Sequence, residues 1–120
     1  MSKKILIIDD EQESCKLLRD YLKRRGFEVE IAFDGEAGLE KARITKPDLA
    51  LCDISMPGLS GVEVLKKIKQ FNQDIIVIML TGYGTMESAI ECLKLGAYGH
   101  IAKPIELEKL LVLLKEVLGS

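Results

Sequence analysis

The stretch KILIIDDEQES, residues 4–14, joins four consecutive apolar residues directly to a run of acidic and amide residues. An apolar run without polar alternation is typical of a β-strand that is covered on both faces. Two adjacent carboxylates, Asp9 and Asp10, follow this strand where it leaves the low-dielectric core. Like charges at such a position repel each other and resist ionisation. The stretch therefore predicts a buried strand whose end needs a positive partner.

Further short runs rich in Ile, Val and Leu follow along the chain, and segments with helical spacing separate them. These segments carry apolar residues three and four positions apart, and two of them end at Gly26 and Gly96. Ser60 to Glu63 form a capping box before the third segment. Strand followed by helix, five times over, predicts one doubly wound α/β domain over residues 1–120, with a parallel sheet and helices on both faces. The predicted strands are Lys4–Asp9, Val29–Ala32, Leu49–Asp53, Ile75–Leu80 and Gly99–Ala102.

The composition argues against several classes of protein. A formal net charge of −2 offers no basic face for nucleic acid, and no apolar run approaches the roughly 20 residues of a membrane span. The N-terminus turns acidic too early for a signal peptide. Three widely spaced cysteines and a single histidine do not predict a zinc site. We expect a cytoplasmic protein with buried, reduced cysteines and no direct contact with nucleic acid or membrane.

Ligand sites in doubly wound sheets lie beyond the carboxyl ends of the strands. There the sequence places three carboxylates, which are the hard oxygen ligands that suit Mg²⁺ or Mn²⁺. It also places a hydroxyl and an ammonium, which suit phosphoryl oxygens. This edge of the sheet is therefore predicted to be a phosphoryl-transfer site. The residues that end the strands are Asp9 and Asp10, Asp53, Thr81-Gly82 and Lys103-Pro104.

The phosphoryl group is expected to reside on the protein itself. The loop Asp10–Ser14 contains no glycine and is acidic, so it is neither a P-loop nor a dinucleotide-binding turn. Asp53 is the best acceptor, because it closes an interior strand, faces the predicted metal and can act as a carboxylate nucleophile.

These motifs, with Asp53 lying in DISMPGLSG, resemble the receiver domain of bacterial two-component response regulators, the CheY-like family, over essentially the whole chain. The resemblance implies a flavodoxin-like sheet of five strands in the order 2-1-3-4-5, with five helices. It implies that Asp53 takes a phosphoryl group from a sensor histidine kinase in a Mg²⁺-dependent reaction. The domain would catalyse only its own phosphorylation and dephosphorylation, and is not expected to be an enzyme in the usual sense. Its other partners would be a downstream output domain or protein and, after phosphorylation, a second copy of the chain.

The resemblance also assigns roles around the metal. Asp10, Asp53 and the backbone carbonyl of Ser55 would bind Mg²⁺, and Asp9 would support the ion through water. Ser55 and Tyr83 would flank the path of attacking water and tune the lifetime of the phosphoryl group. Tyr83 either shields the site or packs on the surface, and the sequence does not decide between these.

A second set of roles concerns the switch. Thr81 would move to the phosphoryl oxygen, and Lys103 would pair with the phosphoryl charge, aimed by a cis peptide bond to Pro104. Gly82 would leave an open approach to the site, although a glycine required for backbone geometry explains it equally well. The fourth helix, fifth strand and fifth helix, roughly residues 86–118, would form the output surface.

His100 departs from the family pattern, which usually has Tyr or Phe three positions before the lysine. One interpretation is a half-exposed strand residue without a special role. The other is a switch ring with a polar tip, whose imidazole titrates near neutral pH.

Two other functions stay open. A phosphorylation-independent interaction module would keep the fold and lose the chemistry, yet every motif residue is present. A small Mg²⁺-dependent phosphatase with an aspartyl nucleophile would typically carry D-x-D after the first strand and a cap over the substrate. Here the two acids are adjacent, and 120 residues leave no room for a cap.

Overall fold

A computed structural model gives the structure of the protein and describes residues 2–82 and 85–119. In chain order the elements are β1 (Lys4–Ile8), α1 (Gln12–Lys23), β2 (Glu28–Ala32), α2 (Gly35–Thr45), β3 (Leu49–Asp53), α3 (Gly61–Phe71), β4 (Ile76–Thr81), α4 (Met86–Lys94), β5 (Gly99–Ala102) and α5 (Leu107–Leu118). The strands form one parallel sheet in the order β2-β1-β3-β4-β5, which confirms the predicted doubly wound fold. Among the described residues, no helix is both long and apolar enough to cross a membrane.

The strand bounds differ from the prediction by one residue at most. β1 ends at Ile8, although the Asp9 N–H still donates to the Ala32 carbonyl at 3.1 Å. β4 is shifted by one residue and includes Thr81, which pairs with Ala102 of β5. The backbone of Thr81 is therefore fixed by the β4–β5 ladder and does not belong to a loop.

The sheet separates two apolar cores, because successive side chains of a strand point to opposite faces. Helices α1 and α5 cover the face that carries Ile5 and Ile7. Helices α2, α3 and α4 cover the face that carries Leu6 and Ile8. A fully buried side chain of this size contributes about 1.5–3 kcal/mol by leaving water. The two cores therefore hold the strand ends, and the side chains that follow them, in fixed positions.

Two helices, α2 and α3, begin at side-chain caps. Ser60 Oγ accepts a hydrogen bond from the Glu63 N–H at 3.3 Å, which confirms the first half of the capping box. Asp34 caps α2 in the same way, by accepting the Ala37 N–H at 2.8 Å. Such caps satisfy backbone donors that have no partner inside the helix.

Gly61 allows α3 to begin directly against the end of β3. A Cβ at this position would lie 2.0 Å from the backbone oxygen of Asp53 and 2.7 Å from Cα of Ile54. The Gly61 N–H donates to the Ile54 carbonyl at 2.9 Å. Because Gly61 has no side chain, the start of α3 can pack directly against the backbone of Asp53.

Candidate functional site

Three carboxylates meet at the carboxyl end of the sheet. One oxygen of each of Asp9, Asp10 and Asp53 lies within 4.8 Å of the others. Asp9 and Asp53 are only 3% and 6% exposed, whereas Asp10 faces solvent. Carboxylate oxygens grouped in this way are the ligands that Mg²⁺ prefers, with water completing the coordination. The residues present therefore fit a hard divalent cation.

Asp53 is held by one donor on each carboxylate oxygen. Oδ1 accepts the Ser55 N–H at 3.2 Å, and Oδ2 lies 3.2 Å from Nζ of Lys103. Burial and the neighbouring Asp9 charge raise the pKa of Asp53, and the two donors offset only part of this rise. The ionised carboxylate is thus disfavoured where it stands, and a cation beside it would relieve that cost.

Lys103 lies against the acidic residues after β1, whose mutual repulsion a metal ion was predicted to offset. Its Nζ lies 2.7 Å from Asp9 Oδ2 and 2.7 Å from Glu11 Oε1, in addition to the contact with Asp53. Burial acts to lower the pKa of Lys103, but the hydrogen bonds to Asp9 and Glu11 outweigh it and raise that pKa above its usual value. The peptide bond from Lys103 to Pro104 is cis, as the resemblance implied.

Glu11 is a member of the site that the sequence did not identify. It belongs to the acidic run after β1, but 92 residues separate it from Lys103, and no local spacing connects the two. They meet because α1 and α5 cover the same face of the sheet. The only signal in the sequence was a third acidic residue directly after Asp9 and Asp10.

Thr81 lies beside the acidic cluster and is 4% exposed. Its hydroxyl donates to the Ile101 carbonyl at 3.3 Å, and its own carbonyl accepts the Lys103 N–H at 2.7 Å. Thr81 and Lys103 are therefore linked through the backbone of β5. Beside them, a Cβ at Gly82 would meet nothing within 4 Å, so the space next to Thr81 is open.

The structure describes three of the remaining predicted residues. Ser55 and Pro104 are exposed, and Ser55 donates its backbone N–H to Asp53. His100 is exposed on β5. Tyr83 lies outside the described residues.

A cavity of about 490 Å³ opens beside the site, between α1 and the segment that joins β5 to α5. Cys15 lines it together with Glu11 and Lys103. The Cys15 thiol donates to the Asp9 carbonyl at 3.4 Å, and burial raises its pKa to about 12. All three cysteines are buried and unbonded to each other, as expected.

Comparison with known proteins supports one interpretation of this geometry. A family model described as "Response regulator receiver domain" matches residues 5–115. The transcriptional regulatory protein ZraR of Klebsiella oxytoca is 41% identical over 115 residues, which is 96% of this chain and 26% of that protein. Sporulation initiation phosphotransferase F of Bacillus subtilis is 36% identical over 110 residues, which is 92% of this chain and 89% of that protein.

A solved structure of a CheY-like response regulator receiver domain protein from Methanospirillum hungatei has the same fold. It superposes with a TM-score of 0.94 at 36% identity, covering 99% of this chain and 95% of the other. The chain spans about a quarter of the length of the ZraR proteins that it matches.

Proposed function

The chain belongs to the response regulator receiver domain family, and from this membership we propose that Asp53 accepts a phosphoryl group from the phosphohistidine of a sensor histidine kinase. Receiver domains of this family act in two-component phosphotransfer signalling. We place the reaction in the cytoplasm and treat it as self-catalysed, with the kinase as donor rather than as catalyst for Asp53.

The observation that carries the proposal is the position of the Asp53 carboxylate. It is buried at the end of a central strand, next to two other carboxylates and one ammonium. In the transfer, an Asp53 oxygen forms a bond to phosphorus as the bond from phosphorus to the histidine nitrogen breaks. The nitrogen keeps the electron pair of that bond. Lys103 is positioned to pair with the added negative charge.

Asp10 and Asp53 would bind Mg²⁺ directly, together with the backbone carbonyl of Ser55, and Asp9 would act through water. The ion would neutralise charge on the carboxylates and on the incoming phosphoryl oxygens. Mn²⁺ has the same preference for oxygen ligands and would substitute for it.

Thr81 would then exchange partners. Its hydroxyl now donates to Ile101 of β5, and a phosphoryl oxygen on Asp53 would offer a charged acceptor in place of a neutral one. The exchange releases the Ile101 carbonyl, so β5 loses a side-chain bond to β4. This step couples phosphorylation to the far edge of the sheet.

The first experiment is intact mass spectrometry after incubation with acetyl phosphate, with and without Mg²⁺. We expect the wild type to gain one labile phosphoryl group only with Mg²⁺, and Asp53→Asn to gain none. Asp48→Asn, which makes the same change just before β3 instead of at its last residue, is the matched control and should behave as wild type. No gain in any protein would favour the phosphorylation-independent interaction module. Continuous turnover of a small phosphate ester would favour the aspartyl phosphatase.

His100 is proposed as a switch ring on this edge, because it is exposed on β5 one residue before Ile101. His100→Tyr should alter the difference in output-partner affinity between phosphorylated and unphosphorylated protein, while leaving the phosphorylation rate unchanged. An unchanged affinity difference would mean that His100 is a strand residue without a special role.

The proposed output surface, roughly residues 86–118, comprises α4, β5, α5 and the segments that join them. Its exposed large apolar side chains are Met86, Ile90, Leu93, Tyr98 and Val112, which are between 43% and 65% exposed. Such a group marks a protein contact more often than an isolated apolar residue does. We propose that it binds an output domain or, after phosphorylation, a second copy of the chain. Sedimentation with acetyl phosphate and Mg²⁺ should show a dimer for wild type and a monomer for Asp53→Asn; equal sedimentation would exclude the homodimer.

A further inference from the structure

Glu11 occupies the N-cap position of α1 without capping it. Its side chain makes no hydrogen bond to the helix start, and Glu is not among the residues that favour this position. Its carboxylate reaches instead to Nζ of Lys103, at 2.7 Å. The Glu11 N–H donates to Asp9 Oδ1 at 3.1 Å, so the backbone of Glu11 is fixed to the acidic cluster.

The position of Lys103 among its three partners is uneven. Its Nζ is 2.7 Å from Glu11 and from Asp9, but 3.2 Å from Asp53. The ammonium thus lies closer to Glu11 and Asp9 than to Asp53, to which it donates a longer hydrogen bond. Without Glu11, its two remaining partners would be the buried carboxylates of Asp9 and Asp53, and it would settle between them.

We propose that Glu11 is a positioning residue, which holds the Lys103 ammonium on the α1 side of the acidic cluster and so keeps Asp53 available to a metal ion and a phosphoryl donor. This inference rests on the proposed function, because it assigns Glu11 a part in the same site. Lys103 and a divalent cation would compete for the carboxylates of Asp9 and Asp53. Glu11 shifts that competition towards the divalent cation by giving the ammonium a partner of its own.

The exposure of Glu11 indicates that its side chain affects the position of the Lys103 ammonium more than the stability of the fold. The side chain is 59% exposed, and ion pairs at such sites contribute little to folding stability. Replacing it should therefore leave the fold intact while it changes where the ammonium rests.

The test is a double-mutant cycle on Mg²⁺ affinity, measured by isothermal titration calorimetry on wild type, Glu11→Gln, Lys103→Met and the double variant. Glu11→Gln should weaken Mg²⁺ binding about two- to fivefold in the wild-type background, in keeping with the loss of one exposed ion pair. The effect should vanish in the Lys103→Met background, because Glu11 acts through the ammonium. Glu13→Gln, an exposed position of the first turn of α1, is the matched control and should bind Mg²⁺ as wild type does.

Two results would overturn the inference. Equal weakening in both backgrounds would show that the Glu11 charge acts directly on the ion, and no weakening in either would show that Glu11 does not position Lys103. The calorimetry needs no phosphoryl donor, so it is independent of the phosphorylation assay. Wild type that binds Mg²⁺ but gains no phosphoryl group would refute the proposed function, while the cycle would still decide the role of Glu11.

Discussion

The two ends of the same sheet satisfy their charged groups in different ways. At the amino end, Asp48 accepts the Lys4 N–H at 2.8 Å, and Nζ of Lys69 donates to the Ile75 carbonyl at 2.7 Å. At the carboxyl end, the charged groups contact each other, with Lys103 shared by three carboxylates, two of them buried. Backbone partners satisfy these groups at the amino end, whereas the carboxyl end adds ion pairs between side chains to its backbone donors.

The difference explains why only one end can act as a switch. A backbone carbonyl or N–H is placed by the fold, so its bond to a side chain persists unless the fold changes. An ion pair between side chains can be replaced by a metal ion or a phosphoryl oxygen while the strands stay in register. The carboxyl end of the sheet is therefore stable in shape but open to exchange of partners.

The largest expected effect tests how rigidly the carboxyl end is built. Gly61→Ala would press a methyl group against the backbone of Asp53 and Ile54, neither of which can move like a flexible side chain. We expect a loss of at least about 3 kcal/mol in the free energy of unfolding, measured by urea denaturation. A loss below about 1 kcal/mol would mean that the backbone at the end of β3 can shift to accommodate the methyl group.

Replacing Lys103 at the carboxyl end and Lys69 at the amino end compares a lysine paired with carboxylates to a lysine bonded to backbone carbonyls. Lys103→Met leaves two buried carboxylates without their ammonium and should cost about 2 kcal/mol in metal-free protein, because the lysine side chain is only 20% exposed. Lys69→Met, which loses bonds to backbone carbonyls, should cost about 1 kcal/mol. Mg²⁺ should restore much of the stability of Lys103→Met and none of that of Lys69→Met, as measured by thermal unfolding with and without the ion. If Mg²⁺ stabilised both variants equally, the two ends of the sheet would not differ in the way proposed.

Replacing one aspartate by asparagine at each end of the sheet should change the free energy of unfolding in opposite directions. The pKa of Asp53 is raised by burial and by Asp9, so its stabilising contribution exists below its unfolded pKa and is lost as pH rises through its folded pKa. Asp53→Asn should therefore stabilise metal-free protein by about 1 kcal/mol at neutral pH, and the difference should disappear in acid. Asp48→Asn should instead destabilise slightly, since it weakens a charge-assisted bond to Lys4. Unfolding curves between about pH 3 and about pH 8 provide the measurement, because this range begins below the ordinary aspartate pKa of about 3.9.

The smallest expected effect on stability is at Gly82. A methyl group there meets nothing within 4 Å, so Gly82→Ala should change the free energy of unfolding by less than about 0.5 kcal/mol. It should nevertheless slow uptake of phosphoryl from acetyl phosphate, because the methyl group enters the open approach beside Thr81. An unchanged rate of phosphoryl uptake would mean that Gly82 is required only for backbone geometry.

Much of this arrangement could be predicted from the sequence, because strands covered on both faces leave a clear apolar pattern. Once the parallel sheet was inferred, the residues that end the strands had to meet at one edge. The sequence therefore predicts that one edge of the sheet carries Asp9, Asp10, Asp53, Thr81 and Lys103. The roles given to these residues in catalysis stay predictions.

The rest depended on contacts that no periodic pattern records. The pair of Glu11 and Lys103 arises from how two helices lie on one face of the sheet. The hydroxyl of Thr81 was expected near the phosphoryl site, but its present acceptor, Ile101, follows from a side-chain rotamer beside β5. The capping box accounted for Ser60 and Glu63, yet gave no hint that the intervening Gly61 touches the backbone of Asp53.

The separation of the two cores has a consequence for how this chain can diverge. Side chains packed beneath α1 and α5 do not meet those beneath α2, α3 and α4, because the sheet lies between them. Changes on opposite faces should therefore be nearly additive, and a lineage can remodel one face without compensating on the other. The face under α1 and α5 supports the Glu11–Lys103 contact, so changes on this face should affect the chemistry of the site. On the opposite face, side chains should be tolerated least at Gly35, Gly38 and Gly61, where a Cβ would clash with its neighbours.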